Sequence, residues 1–175
     1  MNKVVTVFGS SIPTIGEPEY ETAYQLGKML AREGFDVCTG GYRGVMDAVS
    51  KGAVELGSKA IGVTVTTFKA KPSRHLTEEI KCTSLFERIT KLIQTGDAFI
   101  ILEGGTGTLL ELAAVWEFAN KGVEKEKPVA CHSAMWEKIV GVMEERILIE
   151  KRKAGLIKCF SSIEDCVTHI KTGLM

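Results

Sequence analysis

No two of the five cysteines (Cys38, Cys82, Cys131, Cys159 and Cys166) form a C-x-x-C pair, and five is an odd number. A zinc knuckle and a disulfide framework are thereby disfavoured, and reduced thiols in the cytoplasm are expected. The three histidines, His75, His132 and His169, keep no metal-ligand spacing with one another or with a cysteine, so no catalytic metal is expected. No run approaches the ~20 apolar residues of a membrane span. The apolar run at the start, residues 4–8, is too short for a signal peptide. There is no excess of either charge: 22 Lys+Arg stand against 22 Asp+Glu. Broad binding to nucleic acid, which needs clustered cations to neutralise phosphates, is therefore not expected. Both G-x-G-x-x-G and G-x-x-x-x-G-K-[ST] are missing, which argues against a dinucleotide fingerprint and a P-loop.

What is present is an ordinary globular composition, 45% hydrophobic and 25% charged over 175 residues. A chain of this size hides roughly 70% of its unfolded surface on folding, enough for a core without staples. Short β-branched apolar runs at 3–8, 36–38, 60–65, 98–102 and 128–131 alternate with helical periodicity at 20–32, 44–56, 84–94, 108–120 and 134–145. A last amphipathic piece covers 162–171. Strands that are apolar throughout are buried on both faces, and their alternation with helices predicts one α/β domain over 1–175, an open parallel sheet with helices on both sides. Residues 66–82, with Pro72, Ser73 and several charges, read as a loop at the sheet's rim. Trp116, Phe118 and Trp136 read as core or interface aromatics, and an exposed apolar face along 112–118 would mark a subunit contact.

Ligands of open parallel sheets lie beyond the carboxyl ends of the strands, which directs attention to the turns that follow each strand. The first turn is Gly9-Ser10-Ser11, small enough for close approach of an anion and carrying two hydroxyls, though on its own the tripeptide reads more readily as a plain tight turn. The second, Gly40-Gly41-Tyr42-Arg43-Gly44, opens a helix, and no acid precedes it to hold a ribose as in a dinucleotide site. The third is the richest: Glu103-Gly104-Gly105-Thr106-Gly107-Thr108-Leu109-Leu110-Glu111 runs from a buried strand straight into a helix. Free N–H groups in the first turn of that helix, together with its dipole, make an anion site. Glu111 has two readings. It faces the ligand, or it closes a capping box with Thr108. Arg88, in the preceding helix, flanks the buried stripe of Leu85, Ile89, Leu92 and Ile93; it either reaches the rim as a long guanidinium or stays solvated, while Lys91 points away.

Together these turns resemble the LONELY GUY (LOG) family, often labelled "possible lysine decarboxylase", within the Rossmann-like nucleotide-binding proteins. The family signature P-G-G-x-G-T-x-x-E reads here as Glu103 to Glu111, after Phe86-Glu87-Arg88-Ile89. The sequence differs at Glu103 (proline in the signature), Ile89 (lysine) and Leu110 (glutamate in many members). Resemblance implies a doubly wound Rossmann-like fold, a homodimer, no cofactor and a hydrolase. Such an enzyme splits the N-glycosidic bond of a nucleoside 5'-monophosphate, AMP or a cytokinin riboside type, into free base and ribose 5-phosphate. It further implies that Gly105, Thr106, Gly107 and Thr108 hold the phosphate and that Gly9, Ser10, Ser11, Gly40, Gly41 and Gly104 belong to the substrate-binding site. By the same resemblance Glu111 and Arg88 are catalytic. Nothing resembles a pyridoxal-phosphate lysine site. The rival reading is a non-catalytic carrier of a nucleotide or of the molybdenum cofactor; DNA processing is disfavoured by the neutral charge.

Overall fold

The computed structural model describes residues 2–123 and 125–175. Thirteen elements follow one another as β1 (Val4–Phe8), α1 (Pro18–Arg32), β2 (Asp36–Thr39), α2 (Val45–Glu55), β3 (Ala60–Val65), β4 (Glu78–Cys82), α3 (Leu85–Thr95), β5 (Ala98–Ile101), α4 (Thr106–Lys121), β6 (Val129–His132), α5 (Ala134–Ile149), β7 (Lys158–Phe160) and α6 (Ile163–Leu174). All seven strands join one parallel sheet in the order β4-β3-β2-β1-β5-β6-β7. The expected doubly wound Rossmann-like architecture is borne out.

Two apolar layers cover the sheet. On one face α1, α2 and α6 pack Leu26, Leu30, Val49, Ala53, Val167 and Ile170 against Val5, Val7, Val37 and Ile100. On the other, α3, α4 and α5 bring Ile89, Leu92, Leu112, Trp116 and Trp136 against Phe8, Phe99 and Ile101. Strand order reverses between β2 and β5 on either side of β1, and the crevice that this reversal opens at the strands' carboxyl ends is where the site lies.

The structure corrects the sequence-based picture at the margins. Two strands were not anticipated, β4 inside the supposed rim loop and the three-residue β7. Both are edge strands. Glu78, Glu79 and Lys81 of β4 are polar and largely exposed, as suits a sheet edge, and so the strand lacks an apolar run. No exposed apolar face runs along 112–118: Leu112, Val115 and Trp116 are buried in the second layer. Trp136 is buried too, its Nε1 donating to the Leu102 carbonyl at 2.9 Å.

Helices α1 and α2 touch backbone to backbone at two mid-helix glycines. A Cβ on Gly27 would stand 2.2 Å from the Val49 carbonyl oxygen, and one on Gly52 2.2 Å from that of Tyr24. Main chain on both sides leaves little room to yield. Gly27→Ala is expected to destabilise the protein by about 1–3 kcal/mol through overpacking, although alanine is the better helix former. A thermal melt reads this as a fall of roughly 2–12 °C; a rise would show that the helices separate freely.

Candidate active site

Three strand-to-helix turns are laced together by main chain. The Ser10 N–H donates to the Glu103 carbonyl at 2.9 Å, and the Val45 N–H donates to the Ser10 carbonyl at 2.9 Å, so the ends of β5, β1 and β2 form one platform. Gly44 makes the second contact possible: its φ is +73° and a Cβ there would lie 2.4 Å from the Ser10 carbonyl oxygen.

Above the platform opens a cavity of about 950 Å³, near the upper end of the ordinary range for ligand pockets. Gly9, Ser10, Ser11, Gly40, Gly105, Thr106, Gly107, Thr108, Arg88 and Glu111 all line it. Gly41 and Gly104 do not. Gly41, at φ +76°, packs on Thr64 and Gly62, and Gly104 leaves room for the Thr108 hydroxyl and the Ser10 N–H. Their smallness serves the turns rather than a ligand. Gly105 and Gly107 are the opposite case, since nothing in the protein comes within 4 Å of a Cβ built on either.

Helix α4 begins at Thr106, with Gly105 as its N-cap and no side-chain cap. That start overturns the capping-box reading. Thr108 lies inside the first turn and Glu111 in the second, too deep to reach an orphan N–H. Glu111 instead turns into the cavity wall, where its Oε1 accepts from Arg88 Nη1 at 3.2 Å. Arg88 is not a solvated flank residue either; it is 7% exposed. Its Nε donates to the Val63 carbonyl of β3 at 2.8 Å, and its Cζ lies 5.9 Å from the centre of the Tyr42 ring. The guanidinium lies so close over Gly40 that a Cβ there would come within 1.7 Å of Nη2. Gly40 is small because an arginine occupies its side-chain space.

Burial dominates the titration of Glu111. Loss of solvent favours the neutral acid more than Arg88 favours the carboxylate, and the pKa is pushed up from 4.5 to about 7. Glu103, placed where the LOG signature has proline, is exposed and faces away, into a separate cavity of about 180 Å³ shared with Glu19 and His132. Its charge therefore does not enter the main pocket. Ile89 is buried among the core side chains of α3's face. Among the described residues no cluster of His, Cys, Asp and Glu has the makings of a metal site.

Sequence reasoning overlooked the wall contributed by the β3–β4 connection. Phe68, Lys69, Ala70 and Lys71 line the cavity, and the Phe68 ring leans on Tyr42 with centroids 5.9 Å apart. Arg43 and Met46 also line it. A usable signal existed: 66–71 directly follows a buried parallel strand, the same position that drew attention to the glycine turns.

Known proteins similar to this chain come from one family of sequences and share its fold. The chain is 32% identical over 128 residues to the cytokinin riboside 5'-monophosphate phosphoribohydrolase of Rhodococcoides fascians, covering 71% of this chain and 65% of that protein. It is 31% identical over 128 residues to the protein of that name from Mycobacterium tuberculosis (71% and 67% covered), and 38% identical over 115 residues to the one from Oryza sativa (62% and 46%). The chain thus spans about half to two thirds of the length of the curated relatives it matches. Among solved structures, the molybdenum cofactor binding protein of Rippkaea orientalis superposes with a TM-score of 0.77 at 25% identity, covering 100% of this chain and 99% of that one. The molybdenum cofactor carrier protein of Chlamydomonas reinhardtii gives 0.80 at 22% identity, with 99% of each covered, a likeness of fold. A family model matches residues 2–155, and the chain belongs to the SLOG cluster4 family.

Proposed function

We propose that the protein is a nucleoside 5'-monophosphate phosphoribohydrolase, which uses water to release a free base and ribose 5-phosphate. The observation that carries this reading is the buried Glu111–Arg88 pair set into the wall of a cavity that begins at the N-terminus of α4. The curated relatives named as phosphoribohydrolases support it.

Each group then has a task. The first-turn N–H groups of Thr106, Gly107 and Thr108, free by helix geometry, receive the 5'-phosphate together with the Ser10 and Ser11 turn, at the positive end of the helix. Binding energy gained there fixes the ribose over Glu111. As the glycosidic bond lengthens, positive charge develops on the sugar, and the Glu111 carboxylate stabilises it and takes a proton from the attacking water. Arg88 has one donor on Val63 and one on Glu111, so it holds the carboxylate in place and keeps it partly ionised. It is a positioning residue in this scheme.

A second reading is a carrier that binds without cleaving. It is supported by fold: the molybdenum cofactor binding protein of Rippkaea orientalis superposes at a TM-score of 0.77 and 25% identity. The wider reading also includes a homodimer, supported by exposed Val142, Leu148 and Ile149 on α5, and a reducing, cytoplasmic setting, supported by five free cysteines.

Incubation with AMP is expected to yield free adenine and ribose 5-phosphate, with kcat at least ~100-fold lower in Glu111→Gln, the loss typical of a removed acid–base group. Nucleotide retained without base release would establish the carrier instead. The pH dependence has a definite sign. The working form of Glu111 is the carboxylate and burial raises its pKa, so kcat rises with pH to a plateau, with its limb above the ordinary carboxylate range. Using kcat keeps this limb apart from the phosphate's own ionisation near pH ~6. Because Arg88 lowers the Glu111 pKa, Arg88→Ala is expected to move the limb to higher pH; an unmoved midpoint would detach the pair from the pH profile.

A further inference from the structure

The chain as a whole is neutral, but its cavity is not. Four basic side chains, Arg43, Lys69, Lys71 and Arg88, line it against a single acid, Glu111. Arg88 is matched by Glu111. Arg43, Lys69 and Lys71 form no ion pair with any described residue. Like charges placed together without counter-ions repel one another, so their presence around one pocket points to an anion that arrives with the ligand.

Their place in the fold says where that anion lies. The phosphate-binding turn follows β5, Arg43 follows β2, and Lys69 and Lys71 follow β3. In the order β3-β2-β1-β5, three strand spacings separate the two ends of the cavity, roughly 14 Å at ~4.8 Å each. One phosphate cannot occupy both ends. A second phosphate joined directly to the first stays beside it and does not cross to β3. A nucleotide with its 5'-phosphate at α4 and its ribose over Glu111 extends its base toward Phe68, whose exposed ring, backed by the buried Tyr42, offers apolar and stacking surface. Beyond that base stand the lysines.

We propose that Lys69, Lys71 and Arg43 form a second anion-binding subsite, and that the protein takes a nucleoside 5'-monophosphate whose base carries a carboxylate or phosphate substituent. This rests on the assignment of the 5'-phosphate to α4. It sets the protein apart from one built for an apolar substituent on the base, because burying hydrocarbon against three unpaired cations would strip them of water with no compensation.

Calorimetric titration of the full chain carrying Glu111→Gln reads binding without turnover. The probes are AMP, N6-succinyl-AMP and N6-isopentenyl-AMP. N6-succinyl-AMP is expected to bind at least about tenfold more tightly than AMP, the gain from one to two charge-assisted contacts, and N6-isopentenyl-AMP no more tightly than AMP. Lys69→Gln/Lys71→Gln and, separately, Arg43→Gln should reduce that advantage, as should raised salt. These side chains are exposed, so melting temperature is expected to hold. Equal affinity for AMP and N6-succinyl-AMP, a preference for the isopentenyl compound, or an advantage that survives the lysine substitutions would each overturn the subsite. The hydrolase reading is tested apart, by base release from AMP and from N6-succinyl-AMP with the unsubstituted protein: release without a succinyl advantage in binding removes the subsite alone, and an advantage with release from neither nucleotide removes the hydrolase alone.

Discussion

The contact on which the site depends is the ion pair between Arg88 and Glu111, 3.2 Å apart with both side chains about nine-tenths buried. A buried pair is weak evidence of stabilisation, since desolvation can consume the Coulombic gain. Here it does: despite the adjacent guanidinium, the Glu111 pKa rises to about 7. A carboxylate poised near neutral pH is unfavourable as scaffolding and well suited to proton transfer. Several elements are tied to this arrangement. β3 supplies the Val63 carbonyl that anchors Nε, β2 is followed by Gly40, whose missing side chain admits Nη2, and α3 and α4 face each other at the register that brings the two charges together.

Charge distribution adds a second layer that composition conceals. Equal numbers of acids and bases make the chain neutral, yet the fold gathers four bases and one acid around a single cavity. A low-dielectric concave wall focuses such a field, so an anionic ligand is drawn toward the strand ends before any contact forms. The net charge is a fair guide against broad binding to a polyanion. It is a poor guide to what one pocket selects.

The parts of this fold that were legible in the sequence are those where one physical demand dominates. Central strands buried on both faces are mostly apolar, and β1, β3, β5 and β6 appear as short runs rich in Val, Ile, Ala and Phe, while β2 shows only the Val37-Cys38 pair. β4 and β7 sit at the edges and answer to solvent, so their composition reads as loop. The glycine turns were visible because turns of that kind after a buried strand have few other uses. Arg88 was ambiguous because amphipathic patterning scores arginine as polar, and it says nothing of a guanidinium running inward to a strand carbonyl. Thr108 and Glu111 have the spacing of a capping box, but the helix starts three residues earlier than that box requires. The wall at Phe68–Lys71 was hidden by its neighbours: charges beside Pro72 look like a solvated loop until β2 and β3 are placed next to each other.

One pocket could serve a hydrolase or a carrier, and the two demand opposite things of Glu111. A protein that only holds an anionic cargo is best served by a wall of donors and cations. A carboxylate in that wall weakens binding whenever it is ionised, and keeping it neutral by burial brings the cargo nothing. A glycosidase needs the reverse, a negative group where positive charge appears on the sugar, at a distance from the phosphate that fixes the substrate. Glu111 lies in the second turn of α4, one turn beyond the free N–H groups of the helix start, and Arg88 holds it there. Among the described residues that line the cavity every other charged side chain is basic; the buried acid Glu111 is the group with no role in mere retention, and its position favours chemistry over carriage.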